Sequence, residues 1–478
     1  SHILPSPHPP IPTNPFTIPI YLCAMPVSAK HQQFLNASEA KAFDRAHRKT
    51  IRFNIGKYDA AVQQGLTYYA DHELARTRAA HVKAHVLANL DKYLIEWERN
   101  FTARGGRVIW AASAEDALRE IGALLHKRRA KLAVKSKSMS TEEIHLNDFL
   151  EKNGIETVET DLGEYIVQLR GEPPYHIVTP AMHLSKGEIA QLFHEKLGIP
   201  LTDDAQQLVL TARKLLRRKY TLADVGITGA NFLLADVGGV AITENEGNGR
   251  LSTTFPRLHI AVAGIEKLLP TLTDLDLFWP LLSTSGTGQK LTVYNTVLTG
   301  PRQPNETDGP DEMVVVLLDN GRTELLAQPD RREALQCIRC GACLNVCPVY
   351  RNIGGHTYET TYSGPIGSVI SPHLVGMEDN NHLSFASSLC GACTSVCPVR
   401  INLHNLLLLN RRQSVSEGHQ GTGEKRVIGL WKRAMLSRRL LDLAPGRVKN
   451  WALGWLLRQS GWTDKRALLQ AAPKSFAQ

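Results

Sequence analysis

Seven of the eight cysteines in this 478-residue chain stand between positions 337 and 397. The first run, "CIRCGACLNVCPVY" (337–350), spaces Cys337, Cys340, Cys343 and Cys347 as C-x₂-C-x₂-C-x₃-C-P. Iron–sulfur cages need soft thiolates converging on a small volume. Two-residue spacings let three sulfurs face one cluster from a tight loop. The fourth cysteine, followed by proline, begins the next segment and turns to a second cluster. A near copy, "SSLCGACTSVCPVR" (387–400), keeps Cys390, Cys393 and Cys397 but has Ser387 at the first position. Crossing the ligands assigns Cys337, Cys340, Cys343 and Cys397 to one cluster, and Cys347, Cys390 and Cys393 to the other. Two four-iron cubanes take eight ligands, so the second site is a three-iron cluster, a four-iron cluster with a non-cysteine ligand, or one with an open iron. Ser387, His382 and a group from a partner protein are the candidates for the eighth position. Zinc is the competing metal, but it takes two separated C-x₂-C pairs at one tetrahedral ion. That does not explain a threefold run closed by C-P, twice.

Two clusters joined by crossed ligands suit electron transfer better than a structural role. The cysteine distribution agrees. None falls between Ala24 and Gln336, whereas a secreted disulfide protein would spread its cysteines over the core it staples. Metal ligation in a reducing compartment is expected, hence the cytoplasm. No apolar run reaches the length of a membrane span, and no secretory signal is visible. The proline-rich stretch before Met25 reads as an upstream extension or a disordered arm, and Cys23 is set aside with it. Residues 408–478 hold fourteen Lys plus Arg against four Asp plus Glu, while the whole chain carries +9. The protein is a near-neutral body with a basic tail.

The elements that must position these residues follow from periodicity. Residues 31–104 read as helices. "RVIWAA", "KLAVKS", "IETVET" and "YHIVTPA" then read as strands alternating with helices. Ser113 is an N-cap candidate; Ser140 with Glu143 fits a capping box, and Gly154 a stop. "LHIAVAG" and "MVVVLLDN" are later strands, with a helix expected over "IEKLLPTLTDL". Repeated βα units predict an α/β fold with a largely parallel sheet. The expected organisation is a disordered extension (1–30), an α/β domain with N-terminal helices (31–325), an α-helical ferredoxin-like two-cluster domain (326–410) and a basic helical tail (411–478).

Ligands of parallel sheets bind outside the strand carboxyl ends, where helix N-termini attract anions. That makes Lys135 and Lys137 in "VKSKS" candidates for holding a carboxylate or phosphate, against the plainer reading of a solvated strand end. Glu159, Asp161 and Glu164 in "ETDLGEY", and Asn245, Glu246 and Asn248 in "TENEGNGRL", are further pocket candidates; exposed acids and a glycine turn are the alternatives. His176, His183 and His259 read as structural. Neither a dinucleotide fingerprint nor a P-loop is visible, so no flavin or nucleotide site is assigned.

The cysteine motifs, with "GGHTYETTYSGPIGSVISPHLVG" between them, follow "VKSKSMSTEEIHLN", "ETDLGEYIVQL" and "TGANFLLADVGGVAITENEGNGRL". Together these resemble the bacterial lactate utilisation protein B family, the iron–sulfur members of lactate utilisation systems. The resemblance implies a role in oxidising L-lactate to pyruvate beside two partner subunits, lactate utilisation proteins A and C. It also implies an α/β domain similar to the sugar-isomerase and CoA-transferase-like group, and makes the three-cysteine second motif a family trait. The basic tail, with Trp431, Trp451, Trp455 and Trp462, is expected to dock partner subunits. The competing readings are an interfacial helix, at a membrane that supplies a quinone acceptor, and a nucleic-acid patch, which no groove-reading motif supports.

Overall fold

Short apolar runs punctuated by capped helices build a parallel sheet. The computed structural model describes residues 28–419, 422–442 and 444–459, with positions 467, 468, 470 and 472. The described strands are β1 (Arg107–Ala111), β2 (Leu132–Lys135), β3 (Glu156–Glu159), β4 (Val225–Gly229), β5 (Phe232–Leu234), β6 (Gly239–Glu244), β7 (Leu258–Gly264), β8 (Leu268–Leu269), β9 (Tyr294–Leu298) and β10 (Glu312–Leu318). Six of them form one sheet in the order β1-β10-β7-β4-β2-β3, with every neighbouring pair parallel. The others form a smaller sheet, β8-β5-β6-β9, in which β5 pairs parallel with β8 and the remaining pairs are antiparallel.

The central strands β7 and β10 are near-continuous apolar runs because both their faces are covered. Alternate residues divide between two cores. Ile260, Val314 and Val316 meet Ile121, Leu125 and Leu150 on one face, while Ala261, Val315 and Leu317 meet Leu94, Trp97 and Phe101 on the other.

Three local expectations are corrected. The cap before Met139–Glu143 is Ser138, whose hydroxyl accepts from Thr141 N; Ser140 is buried within the turn, and the helix breaks at His145, φ 53°, before Leu146–Lys152 resumes. "YHIVTPA" is not a strand: His176 Nδ1 accepts from the amides of Val178 and Thr179, curling the segment. "IEKLLPTLTDL" is two 3₁₀ turns flanking β8 rather than a helix.

The chain leaves β2 toward β3 on one side and leaves β4 toward β7 on the other. Neighbouring strands whose exits diverge open a crevice at their carboxyl ends. Against this frame packs the cysteine-bearing segment, and the N-terminal helices close around it. Phe34, Ile51, Ile55 and Leu87 share one core with Leu344, Tyr350 and the buried thiols. Arg76 donates to the carbonyls of Ser395 and Cys397 at 2.7 and 3.0 Å, and Arg351 pairs with Asp59 at 2.7 Å.

Residues Ala29–Ser416 form this compact unit; Glu417–Gln478 belong to a second. Within the second, helices Thr422–Leu436 and Gly446–Gln459 expose Trp431, Leu436, Trp451 and Trp455. Among the described residues no helix is long and apolar enough to cross a membrane. Residues 1–27 with Cys23, and Trp462, lie outside the described residues.

Candidate iron–sulfur site and adjoining cavity

The two cysteine loops are built alike. Each places a non-glycine residue in the left-handed region before the second ligand position of its motif, Arg339 at φ 62° before Cys340 and Leu389 at φ 55° before Cys390. A left-handed glycine follows, Gly341 at φ 80° and Gly391 at φ 79°, and then a short helix, Ala342–Val346 or Ala392–Ser395. Left-handed backbone is unfavourable for residues with a Cβ, so something must hold it. Here the turn aims an amide at a sulfur: Arg339 N donates to Cys337 Sγ at 3.4 Å. In the copy, Leu389 N donates to Ser387 Oγ at 3.1 Å. Ser387 thus stands in the geometric position of Cys337, with oxygen in place of sulfur.

The thiols fall into two sets. Cys337, Cys340, Cys343 and Cys397 line one small cavity walled by Ile338, Ile366 and Ile401. Burial pushes Cys397 up to about 12, and it also raises Cys340 and Cys343, each aggravated by the other members of that set. Cys393 is pushed up to about 11 by burial and by Cys347 and Cys390. Cys390 is exposed, and the Ala392 amide lowers it. Buried thiols crowded together do not ionise unless a cation joins them, which is how a metal couples to such a site. The donor chemistry fits two iron–sulfur clusters. His382 is turned elsewhere: its buried ring stacks on His31 at 5.1 Å and lies 5.2 Å from Phe34, and burial lowers it to about 4.

The crevice at the ends of β2 and β4 is a cavity of about 330 Å³. Its walls come from residues 136–140 after β2, residues 229–231 after β4, and the loop after β6. Lys267, Arg339 and Cys340 also line it, so it shares a wall with the first cysteine loop. Lys137, Asp161, Asn245, Glu246 and Asn248 all line it. Lys137 donates to Val178 O at 2.9 Å and lies 3.5 Å from Asp161, which also caps helix Leu162–Arg170. Glu246 accepts from Leu162 N, and burial raises it to about 7.

Lys135, Glu159 and Glu164 do not line this cavity. Lys135 is fully buried, with its ammonium 2.7 Å from Glu159 and 2.9 Å from Glu142. Burial alone would lower it, but Glu142, Glu159 and Glu164 outweigh that and hold it charged. The oxygens of those three carboxylates converge within 4.8 Å of one another, and Lys135 supplies the cation they require. It is therefore a structural counter-ion and not the expected anion holder. His176 and His259 are buried and held neutral by burial, at about 3. His183 pairs with Glu172 at 2.8 Å and stacks on Tyr175.

Reasoning from sequence missed Lys267 and Arg339. Arg339 lay in plain view inside C-I-R-C, whereas Lys267 belongs to no motif. Both border a buried network in which Arg322 bridges Glu143 and Glu266 at 2.7 Å each, and Arg339 lies 3.5 Å from Glu266.

This combination defines a class: a LUD domain, matched over residues 94–318, joined to a 4Fe-4S dicluster domain, matched over 333–401. The chain is 49% identical over 352 residues to Lactate utilization protein B of Bacillus licheniformis, covering 73% of this chain and 74% of that one. It is 46% identical to the Bacillus subtilis protein of the same name, over 79% and 83%. The uncharacterized electron transport protein YkgF of Escherichia coli K12 is 43% identical, over 95% and 97%. The chain belongs to the lactate utilization protein B family.

Proposed function

We propose that this protein is the iron–sulfur electron-transfer subunit of a multi-subunit system oxidising L-lactate to pyruvate, beside lactate utilisation proteins A and C. The observation that carries the reading is the crossed sorting of thiols: Cys397 of the second motif joins the first set, and Cys393 of the second feels Cys347 of the first. When bound, the clusters supply neighbouring one-electron carriers, which suits a two-electron oxidation. The protein's own groups hold those positions. Apolar walls exclude water, backbone amides donate to sulfur, and Arg76 clamps the carbonyls of the second loop. Exposed Cys390 makes the second set the side that meets a partner. The basic helices Thr422–Leu436 and Gly446–Gln459 offer docking surface to partner subunits in the cytoplasm, or to a membrane that supplies a quinone. A second reading keeps lactate chemistry within this chain, because the α/β cavity reaches Cys340.

Anaerobic purification, iron and sulfide counting and EPR test the proposal. The expected result is two clusters reducible by dithionite, and by L-lactate only when the two partner proteins are added. Reduction by L-lactate in this chain alone would overturn the pure relay in favour of the second reading. Clusters that resist a strong low-potential donor would remove the electron-transfer premise.

A further inference from the structure

The cavity holds basic groups with unused bonding capacity. Lys267 is 7% exposed and has no hydrogen-bond or ion-pair partner among the described residues, although it lines the cavity. Arg339 Nη1 is buried with no acceptor, while the guanidinium lies 4.4 Å over the Tyr362 ring. Asn248, 5% exposed, also lines the cavity, and its side chain has no hydrogen-bond partner among the described residues. The other buried or half-buried lysines of this region are satisfied. Lys135 has its carboxylates, Lys137 has Val178 O and Asp161, and Lys83 donates to Glu266 O and Leu268 O. Buried donors left unpaired are costly, so a site that retains them retains them for an acceptor. Burial lowers Lys267 to about 8, which leaves it mostly charged at neutral pH.

We propose that this cavity binds a small 2-hydroxy- or 2-oxocarboxylate, its carboxylate received by Lys267 and Arg339 and its second oxygen function by Asn248. Acidic groups in the same lining narrow the class. Asp161, Glu244 and Glu246 line the cavity, and they oppose the higher charge of a phosphate while accepting hydrogen bonds from a hydroxyl. A volume of about 330 Å³ admits a three-carbon acid with room for water beside it. The bound carboxylate would lie beside Cys340 and on Arg339, whose amide donates to the sulfur of Cys337 two residues earlier. The inference rests on the lactate reading for its choice of probes.

The test is calorimetric titration of the full, cluster-loaded chain under anaerobic conditions with L-lactate, pyruvate, acetate and inorganic phosphate. L-lactate or pyruvate is expected to bind once per chain. Acetate should be weaker, Lys267→Met should weaken binding roughly tenfold or more, and Lys267→Arg should restore most of it. Iron content and visible absorption should stay at the parent level. If Lys267→Met loses iron, Asn248→Leu carries the same expected loss of affinity. Overturning results are no saturable binding of either acid, phosphate binding as tightly, or affinity unchanged in the variants. Clusters that dithionite reduces in a chain that binds neither acid would sink this inference and spare the relay. Acid binding beside irreducible clusters would do the reverse.

Discussion

Replacing Arg322 by methionine tests how the sheet and the cysteine loop are joined. Arg322 begins the short helix after β10 and is 1% exposed. Its two terminal nitrogens donate to Glu143 at 2.8 and 2.7 Å, and Nε donates to Glu266 at 2.7 Å. Tyr362 OH donates to the same Glu143 at 2.7 Å, so the network runs from helix Met139–Glu143 to the spacer between the cysteine motifs. Methionine roughly fills the space but strands two buried carboxylates. Burial alone would raise Glu266, yet Arg322, Arg339 and Lys267 hold it at about 2 against an ordinary 4.5. At ~1.4 kcal/mol per tenfold change in proton affinity, that is on the order of 3 kcal/mol at neutral pH for the three cations together, with Arg322 the largest of them and the partner of Glu143 as well. It matches the low end of the roughly 3–5 kcal/mol cost of breaking a buried pair. A depressed carboxyl stabilises the fold above its unfolded value, and the contribution is lost as pH falls from 4.5 toward 2. In the variant both carboxyls rise and protonate sooner, so its deficit is greatest at neutral pH and shrinks on acidification. An unfolding entropy of ~2.1 cal/mol/K per residue over roughly 390 residues is ~0.8 kcal/mol/K, so the melting temperature should fall by about 4 °C. Anaerobic circular-dichroism melts near about pH 7.5 and about pH 5.5 measure it. A midpoint within about 1 °C of the parent at neutral pH, or a deficit that grows on acidification, would refute the reasoning.

Cys397→Ser should remove iron from the set containing Cys337, and Cys347→Ser from the set containing Cys390; EPR of the two variants should lose different signals, and loss of the same signal refutes the crossed assignment. Ser387→Cys places sulfur where the Leu389 amide already points; iron per chain should rise toward the eight-ligand complement, and chelators should strip it more slowly. Lys135→Met leaves three converging carboxylates without a cation and should cost about 3–5 kcal/mol at neutral pH, read by urea unfolding, with the loss easing as pH falls.

The cysteine repeats and strands β1, β2, β3, β7 and β10 were legible because each signal is local: spacing for the ligands, apolar runs for the strands. What failed was decided at long range. "SMSTEE" allows a cap at either Ser138 or Ser140. The structure uses the first, because Glu143 is drawn to Arg322, far along the chain, rather than back to its own helix start. "YHIVTPA" has strand composition, but Tyr350 OH donates to Tyr175 O and His176 gathers two amides, so a curled loop wins. Lys135 and Lys137 look equivalent in "VKSKS". Only assembled strands reveal that Glu142 and Glu159 converge on the first, while the second faces the cavity. Lys267 had no sequence signal at all, since its meaning comes from the strand order that brings β7 beside β4.

The copied loops differ where it matters for direction. In the first, the left-handed residue is Arg339, and its neighbour Cys340 also lines the α/β cavity. In the second, the equivalent residue is Leu389, and the next cysteine, Cys390, is exposed. The same backbone turn therefore presents a cation and a thiol to a buried pocket in one copy, while in the other it packs Leu389 against the core and leaves the thiol of Cys390 toward solvent. A positive group beside a cluster favours its reduced state, because the guanidinium charge offsets the added electron. Losing the first sulfur to Ser387 falls on the outer copy, where an exogenous ligand or a partner can reach. Under the proposed reading the duplicated motif is an oriented pair, with an inner set that receives electrons beside the cavity and an outer set that passes them on.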